Sequence, residues 1–142
     1  MSFKGKFKIS KFDIALGAGV FLFVIYFLYM KGYIFANFEK VSPREAYEMI
    51  KNDKDIIVLD VRTEEEYKND GHIKGSILIP LNELRNRINE LKKYKDKKII
   101  VYCRSGNRSV VASRLLSNLG FKVYNMNGGI IAWKEEGLPI EK

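Results

Sequence analysis

A single cysteine, Cys103, and a single histidine, His72, are all the thiol and imidazole that these 142 residues carry. One thiol cannot close an internal disulfide or complete a four-thiolate metal site, so packing must supply the stability. Cys103 is then either a reactive group or an inert small hydrophobe. Internal repeats and low-complexity tracts are absent too. So are zinc-finger spacing, a helix-turn-helix signature and a basic stripe, which removes the familiar routes to nucleic acid. The nearest thing to a basic run, Lys92, Lys93, Lys95, Lys97 and Lys98, falls between a helix and a strand and reads as a solvated loop.

The length suits one compact domain plus an appendage. Acidic residues are scarce at the start: six lysines against Asp13 and Glu39 place half of the net +8 in the first 40 residues. From Ile14 to Met30, 17 residues run without a charge. At about 1.5 Å per residue they cover about 25 Å of a hydrocarbon layer roughly 30 Å thick. Lys31 can snorkel, and Gly32 to Phe38 is apolar again, so a tilted or longer span is available. Tyr26, Tyr29 and Tyr33 cluster toward the C-terminal end, where an aromatic belt lies. A cleaved signal peptide competes for the same segment, but the apolar stretch is longer than a signal core and no small-x-small pattern follows Met30. The expectation is a basic segment over 1–13, a single-pass cell-membrane anchor over 14–37 and a globular domain over 38–142. Lys4, Lys6, Lys8 and Lys11 outweigh the far flank, which sets the N-terminus in the cytoplasm and the domain outside.

Beyond Phe38 the pattern alternates between helix and strand. Ser42-Pro43-Arg44-Glu45 reads as a capping box with proline at the first helical position, predicting a helix to about Lys51, and Thr63 to Glu66 repeats the logic. Ile56 to Leu59, Ile77 to Ile79, Lys98 to Tyr102 and Lys122 to Asn125 are short apolar runs of the kind buried in a parallel sheet. Helices are predicted over Asn82–Leu91, over Val110–Leu119 with Val111, Leu115, Leu116 and Leu119 inward, and over Ile130–Glu136. Strands separated by helices imply an α/β fold with a central parallel sheet.

The chemistry points to Cys103-Arg104-Ser105-Gly106-Asn107-Arg108, at the end of the third apolar strand and before a helix. Ligands bind at the carboxyl ends of such strands, and a helix N-terminus directs unpaired N–H groups and positive potential there. Gly106 lets the backbone curl, and Arg104 and Arg108 add two positive charges. These surroundings favour the thiolate form of the cysteine, the reactive one.

The loop resembles the active-site loop of single-domain rhodaneses, the thiosulfate sulfurtransferase family, matching Cys-x-x-Gly-x-Arg residue for residue. Leu59-Asp60-Val61-Arg62, Gly71-His72-Ile73-Lys74-Gly75-Ser76-Ile77 and Gly128-Gly129-Ile130-Ile131-Ala132-Trp133 with Gly137-Leu138-Pro139 resemble further family segments in the right order. Ser76 stands where the family usually has alanine. The resemblance covers the globular part and implies a rhodanese-like three-layer fold. It also implies a two-step transfer: Cys103 attacks the outer sulfur of thiosulfate, expels sulfite and holds the sulfur as a persulfide, which a thiol or cyanide then takes. Arg104, Ser105, Gly106, Asn107, Arg108 and Ser109 form the cradle, and Asp60 and Arg62 pair in support of it. No metal, cofactor or general base is required by this chemistry, so His72 is read as structural and Trp133 as packing under the sheet.

The implied partners are a small anionic sulfur donor, a thiol or cyanide acceptor and the membrane through the N-terminal helix, with the globular domain monomeric and no nucleic acid. Two rivals stand beside this reading. A dual-specificity-type phosphatase needs arginine six positions after the cysteine, where residue 109 is serine. A membrane-tethered module that carries sulfur or binds a partner without efficient turnover commonly lacks the cysteine.

Overall fold

Three capping boxes fix where helices start. In the computed structural model, which describes residues 8–31, 33 and 37–142, Ser42 Oγ accepts from the Glu45 amide and the Glu45 carboxylate accepts from the Ser42 amide. Thr63 and Glu66 repeat the exchange, as do Ser10 and Asp13. Each pair satisfies two N–H groups that a helix start leaves open. The elements are α1 (Lys11–Met30), β1 (Glu39–Val41), α2 (Pro43–Asn52), β2 (Ile57–Asp60), α3 (Glu64–Asn69), β3 (Ile77–Leu78) and α4 (Leu81–Leu84). A 3-10 segment (Arg85–Tyr94), β4 (Lys98–Tyr102), α5 (Asn107–Asn118), β5 (Lys122–Met126) and α6 (Gly129–Glu135) follow.

The five strands form one parallel sheet in the order β1-β5-β4-β2-β3, with β4 at the centre. Side chains of β4 alternate between its faces. Ile99, Val101 and Cys103 join a cluster with Leu59, Leu84, Leu91 and Leu116. Ile100 and Tyr102 join Ala46, Val58, Met126 and Trp133 on the other face. Trp133 is buried and donates from Nε1 to the Pro139 carbonyl at 2.9 Å.

Several expectations need correction. A fifth strand, β1, pairs with β5 from Glu39 opposite Tyr124 to Val41 opposite Met126. With only one fully buried residue in Glu-Lys-Val, it carries no hydrophobic pattern of its own. Past Leu84 the chain winds as a 3-10 segment, not an α-helix; Leu84 and Leu91 are buried and Ile88 packs beside them in either winding. Helix α5 begins at Asn107, three residues earlier than expected; its buried residues are Ser109, Val110, Ala112, Ser113, Arg114 and Leu116, and Leu115 packs against the core, so Leu115 and Leu116 face inward as expected whereas Val111 and Leu119 are 40 % and 43 % exposed. The buried face mixes small residues with Val110 and Leu116, so burial here follows position around the helix rather than side-chain size. Gly120 ends it in a left-handed turn, with its amide on the Ser117 carbonyl and that of Phe121 on the Leu116 carbonyl.

Helix α1 has no buried residue and is long and apolar enough to cross a membrane. Its C-terminal end meets α5, where the Arg114 guanidinium lies 3.8 Å above the Tyr29 ring and donates to the Tyr29 carbonyl. Most of the second apolar stretch, Gly32 and residues 34–36, and residues 1–7 of the basic segment lie outside the described residues.

Candidate active site

Strand β4 delivers Cys103 to the carboxyl edge of the sheet, where the thiol is 1 % exposed. Between it and α5 the chain has three residues, and Gly106 closes the turn at φ 109°, a conformation that side chains disfavour. That turn brings the Gly106 N–H back onto the Cys103 Sγ at 3.0 Å. Gly106 is also the N-cap of α5 and offers no side chain to the helix start, so the first-turn amides of Asn107, Arg108 and Ser109 have no side-chain cap. Ser109 is fully buried, its Oγ 3.5 Å from the sulfur and donating to the Gly106 carbonyl at 3.2 Å. Arg104, Ser105 and Asn107 are exposed around this centre.

The loop is held from behind by α6. The Ile130 amide donates to the Cys103 carbonyl at 2.8 Å and the Ile131 amide to the Arg104 carbonyl at 3.1 Å. At Gly129 (φ 59°) an added Cβ would stand 2.5 Å from both the Arg104 carbonyl carbon and the Cys103 carbonyl oxygen, so only glycine permits the approach. Gly128-Gly129 is visible in the sequence, but its role against the loop is a long-range contact that no local pattern encodes.

Arg108, expected as part of the cradle, directs its guanidinium at Glu66 of α3, with Nη1 to Oε1 at 2.6 Å and Nη2 to Oε2 at 2.8 Å. The Arg108 fork, together with the Thr63 amide, lowers the Glu66 carboxyl to about 2, partly opposed by burial. Glu66 raises Arg108 in return. Sequence reasoning found Glu66 only as a capping residue.

Asp60 and Arg62 are both fully buried. Arg62 Nη2 lies 2.7 Å from Asp60 Oδ2 and 2.8 Å from the Gly71 carbonyl, and the guanidinium sits 5.5 Å from the Tyr102 ring centre. Their contacts thus run to the Gly71 segment and to the residue before Cys103. Tyr102 accepts from the Ile73 amide at 3.1 Å and meets Ser76 Oγ at 3.3 Å, which gives the serine at 76 a partner that alanine would lack. Burial first, and the Asp60 charge second, drive its phenol strongly upward. His72 stacks on Tyr67 at 3.6 Å and bonds its carbonyl through Nδ1 at 2.9 Å, away from the thiol. A cavity of about 210 Å³ at the β2 and β3 edge is lined by Arg62, Thr63, Asn82 and Arg108, and Arg62 Nη1 has no hydrogen-bond partner.

The rhodanese-like domain profile matches residues 42–136. The chain belongs to the rhodanese family. Among its relatives is a sulfurtransferase of Allochromatium vinosum, 36 % identical over 102 residues that cover 71 % of this chain and 92 % of that protein. A tRNA uridine(34) hydroxylase of Cronobacter sakazakii is 36 % identical over 98 residues, covering 63 % of this chain but only 28 % of its own length. The crystal structure of a rhodanese-related protein from Thermoplasma volcanium superposes with a TM-score of 0.67 at 40 % identity, covering 73 % of this chain and 98 % of that one. The family therefore includes sulfurtransferases, and also larger proteins in which this domain is one part.

Proposed function

We propose that the protein is a sulfurtransferase that moves sulfane sulfur from thiosulfate or a related anionic donor to a thiol or cyanide through a Cys103 persulfide. The observation that carries this reading is the 3.0 Å contact from the Gly106 N–H to the Cys103 sulfur at the foot of α5. The thiolate attacks the sulfane sulfur of thiosulfate; the S–S bond breaks and its electron pair leaves with sulfite. The persulfide charge then faces the loop amide and the positive end of a 12-residue helix. An acceptor thiolate attacks the outer sulfur, and the electron pair returns to Cys103. The exposed Arg104 in the loop supports an anionic donor.

Exposure of the full chain to thiosulfate, followed by removal of excess donor, adds the mass of one sulfur atom, which persists until a thiol or cyanide is supplied. Cys103→Ser abolishes both the adduct and turnover. Cys103-dependent hydrolysis of an aryl phosphate, with no sulfur adduct, would overturn the assignment in favour of a phosphatase.

A second reading, a module that stores sulfur or binds a partner without turnover, draws on the 1 % exposure of Cys103. A persulfide that no thiol or cyanide can discharge would favour it. The length and hydropathy of α1 support a membrane anchor, oriented with its N-terminus in the cytoplasm. A reporter fused at Lys142 that works only in the cytoplasm would reverse that orientation.

A further inference from the structure

Where α1 ends, a cavity of about 560 Å³ opens between its last turn, the α4 region and the outer side of α5. Tyr29 and Met30 close one side, Val111 and Leu115 of α5 another, and Arg85 and Arg114 belong to its wall. We propose that this cavity takes the phosphate headgroup of an anionic phospholipid, so that the outer side of α5 sits on the bilayer that α1 crosses, and that Arg85 selects the lipid. The inference rests on the anchor reading of α1 and goes beyond it by assigning a lipid site to the globular domain.

Depth is the first argument. Tyr29 and Met30 are the last two residues of α1 and end its uncharged run. A span that reaches the interface at these residues sets the cavity at headgroup level, where tyrosines gather. Arg114, 8 % exposed, keeps helix and domain together there: its guanidinium lies 3.8 Å above the Tyr29 ring and donates to the Tyr29 carbonyl. That contact builds the wall, whereas Arg85 is exposed and offers the charge a ligand can reach.

Charge and polarity are the second. Among the described residues that line the cavity, two are arginines and none is acidic, so an anion meets attraction without a competing carboxylate. The exposed Asn82 and Asn118 add amides to the lining. Asn118 Oδ1 accepts from Asn37 Nδ2, which leaves the Asn118 N–H groups to donate to a ligand. A phosphate diester carries one full charge and acceptor oxygens that match a guanidinium fork and amide N–H groups. The volume falls inside the range of about 300–1,000 Å³ typical of small-ligand sites.

Exposed apolar surface is the third. Val111 and Leu119 are 40 % and 43 % exposed, and with Leu115 they stand at i, i+4 and i+8 on α5, one stripe along the helix. A soluble phosphate would use the cation and leave the stripe in water. The glycerol backbone and first acyl carbons of a lipid use both, which favours a membrane lipid as the occupant.

The test uses the full chain. In vesicles of phosphatidylcholine it resists extraction by alkaline carbonate, as an integral anchor does; extraction would overturn the anchor and with it a headgroup site at its end. The detergent-purified chain is then titrated with phosphatidylglycerol or phosphatidylcholine, and bound lipid is counted by native mass spectrometry. One phosphatidylglycerol is retained in preference to phosphatidylcholine, and excess glycerol 3-phosphate does not displace it. Arg85→Gln weakens that retention about fivefold. Lys51→Gln, which removes the same charge from α2 on the other face of the sheet, leaves it unchanged. A carbonate-resistant chain whose lipid retention is indifferent to Arg85→Gln, or falls equally in both variants, overturns the site and leaves the anchor standing. Displacement by glycerol 3-phosphate overturns the lipid assignment in favour of a soluble anion.

Discussion

Arg108 and Glu66, 42 positions apart in the chain, meet in a two-bond fork of 2.6 and 2.8 Å. Glu66 also caps α3, so one carboxylate fastens a helix start and the last arginine of the reactive loop. Its carboxyl is lowered from 4.5 to about 2 in the folded chain. A depressed carboxylate stabilises the fold above its unfolded value, and that contribution is lost as pH falls from about 4.5 toward 2. With Arg108 35 % exposed, screening reduces the pair to about 1–2 kcal/mol. Glu66→Gln is therefore expected to lower stability by about that much at pH 7 and to flatten the acid limb between pH 4.5 and 2, as read by urea denaturation across pH. An unaltered acid limb would remove Glu66 from this role.

Gly129→Ala places a methyl group between α6 and the carbonyls of Cys103 and Arg104, at a left-handed φ of 59°. The conformation alone costs about 1–2 kcal/mol, and the clash adds to it. A lower thermal midpoint together with a large loss of sulfur transfer is expected, whereas Gly137→Ala, with open space around its Cβ, leaves transfer near the wild-type level. Equal effects of the two substitutions would show that the approach at Gly129 does not shape the loop.

Arg104 is the exposed cation of the proposed cradle. Losing a charge-assisted contact is worth about 1.5 to 3 kcal/mol, so Arg104→Ala raises the thiosulfate KM at least about tenfold and changes kcat less. Steady-state kinetics over a range of thiosulfate concentrations separates the two. Unchanged kinetics would move donor recognition elsewhere.

Residues 38–142 are expected to fold alone as a soluble monomer, because none of the buried core residues comes from α1. The truncation gives up the contact of the buried Arg114 with Tyr29 and the exposed Lys31 contact with Asn107. The thermal midpoint should therefore fall by less than about 8 °C. Size-exclusion chromatography and a melt check this, and an aggregated product would place α1 in the core.

Local signals were legible wherever the physics is local. The capping boxes at Ser42 and Thr63, the β-branched runs of β2 and β4, and the turn glycine at 106 each write their structure into neighbouring residues. Strand β1 was invisible because its pairing belongs to β5, more than eighty positions away in register, and its own residues are two charges and a valine. The face of α5 was half legible: Leu115 and Leu116 pack inward as expected, but Val111 and Leu119 lie outside, because the helix starts three residues early and Ser109, Val110, Ala112 and Ser113 take the inner positions. In the site, Cys103 and Gly106 could be located from spacing, but Glu66 as the mate of Arg108 and Gly129 as the backing of the loop exist only through tertiary contact.

The two amides of α6 that hold the Cys103 and Arg104 carbonyls also sort the loop by polarity. In a trans peptide the oxygen and the hydrogen point to opposite sides, so drawing those oxygens toward α6 turns the amide hydrogens of the next residues away from it. The lone pairs closest in sequence to the sulfur are thereby committed before any substrate arrives. On the proposed persulfide chemistry, an anionic sulfur on Cys103 would meet less oxygen repulsion, an effect built by the amides of residues 130 and 131.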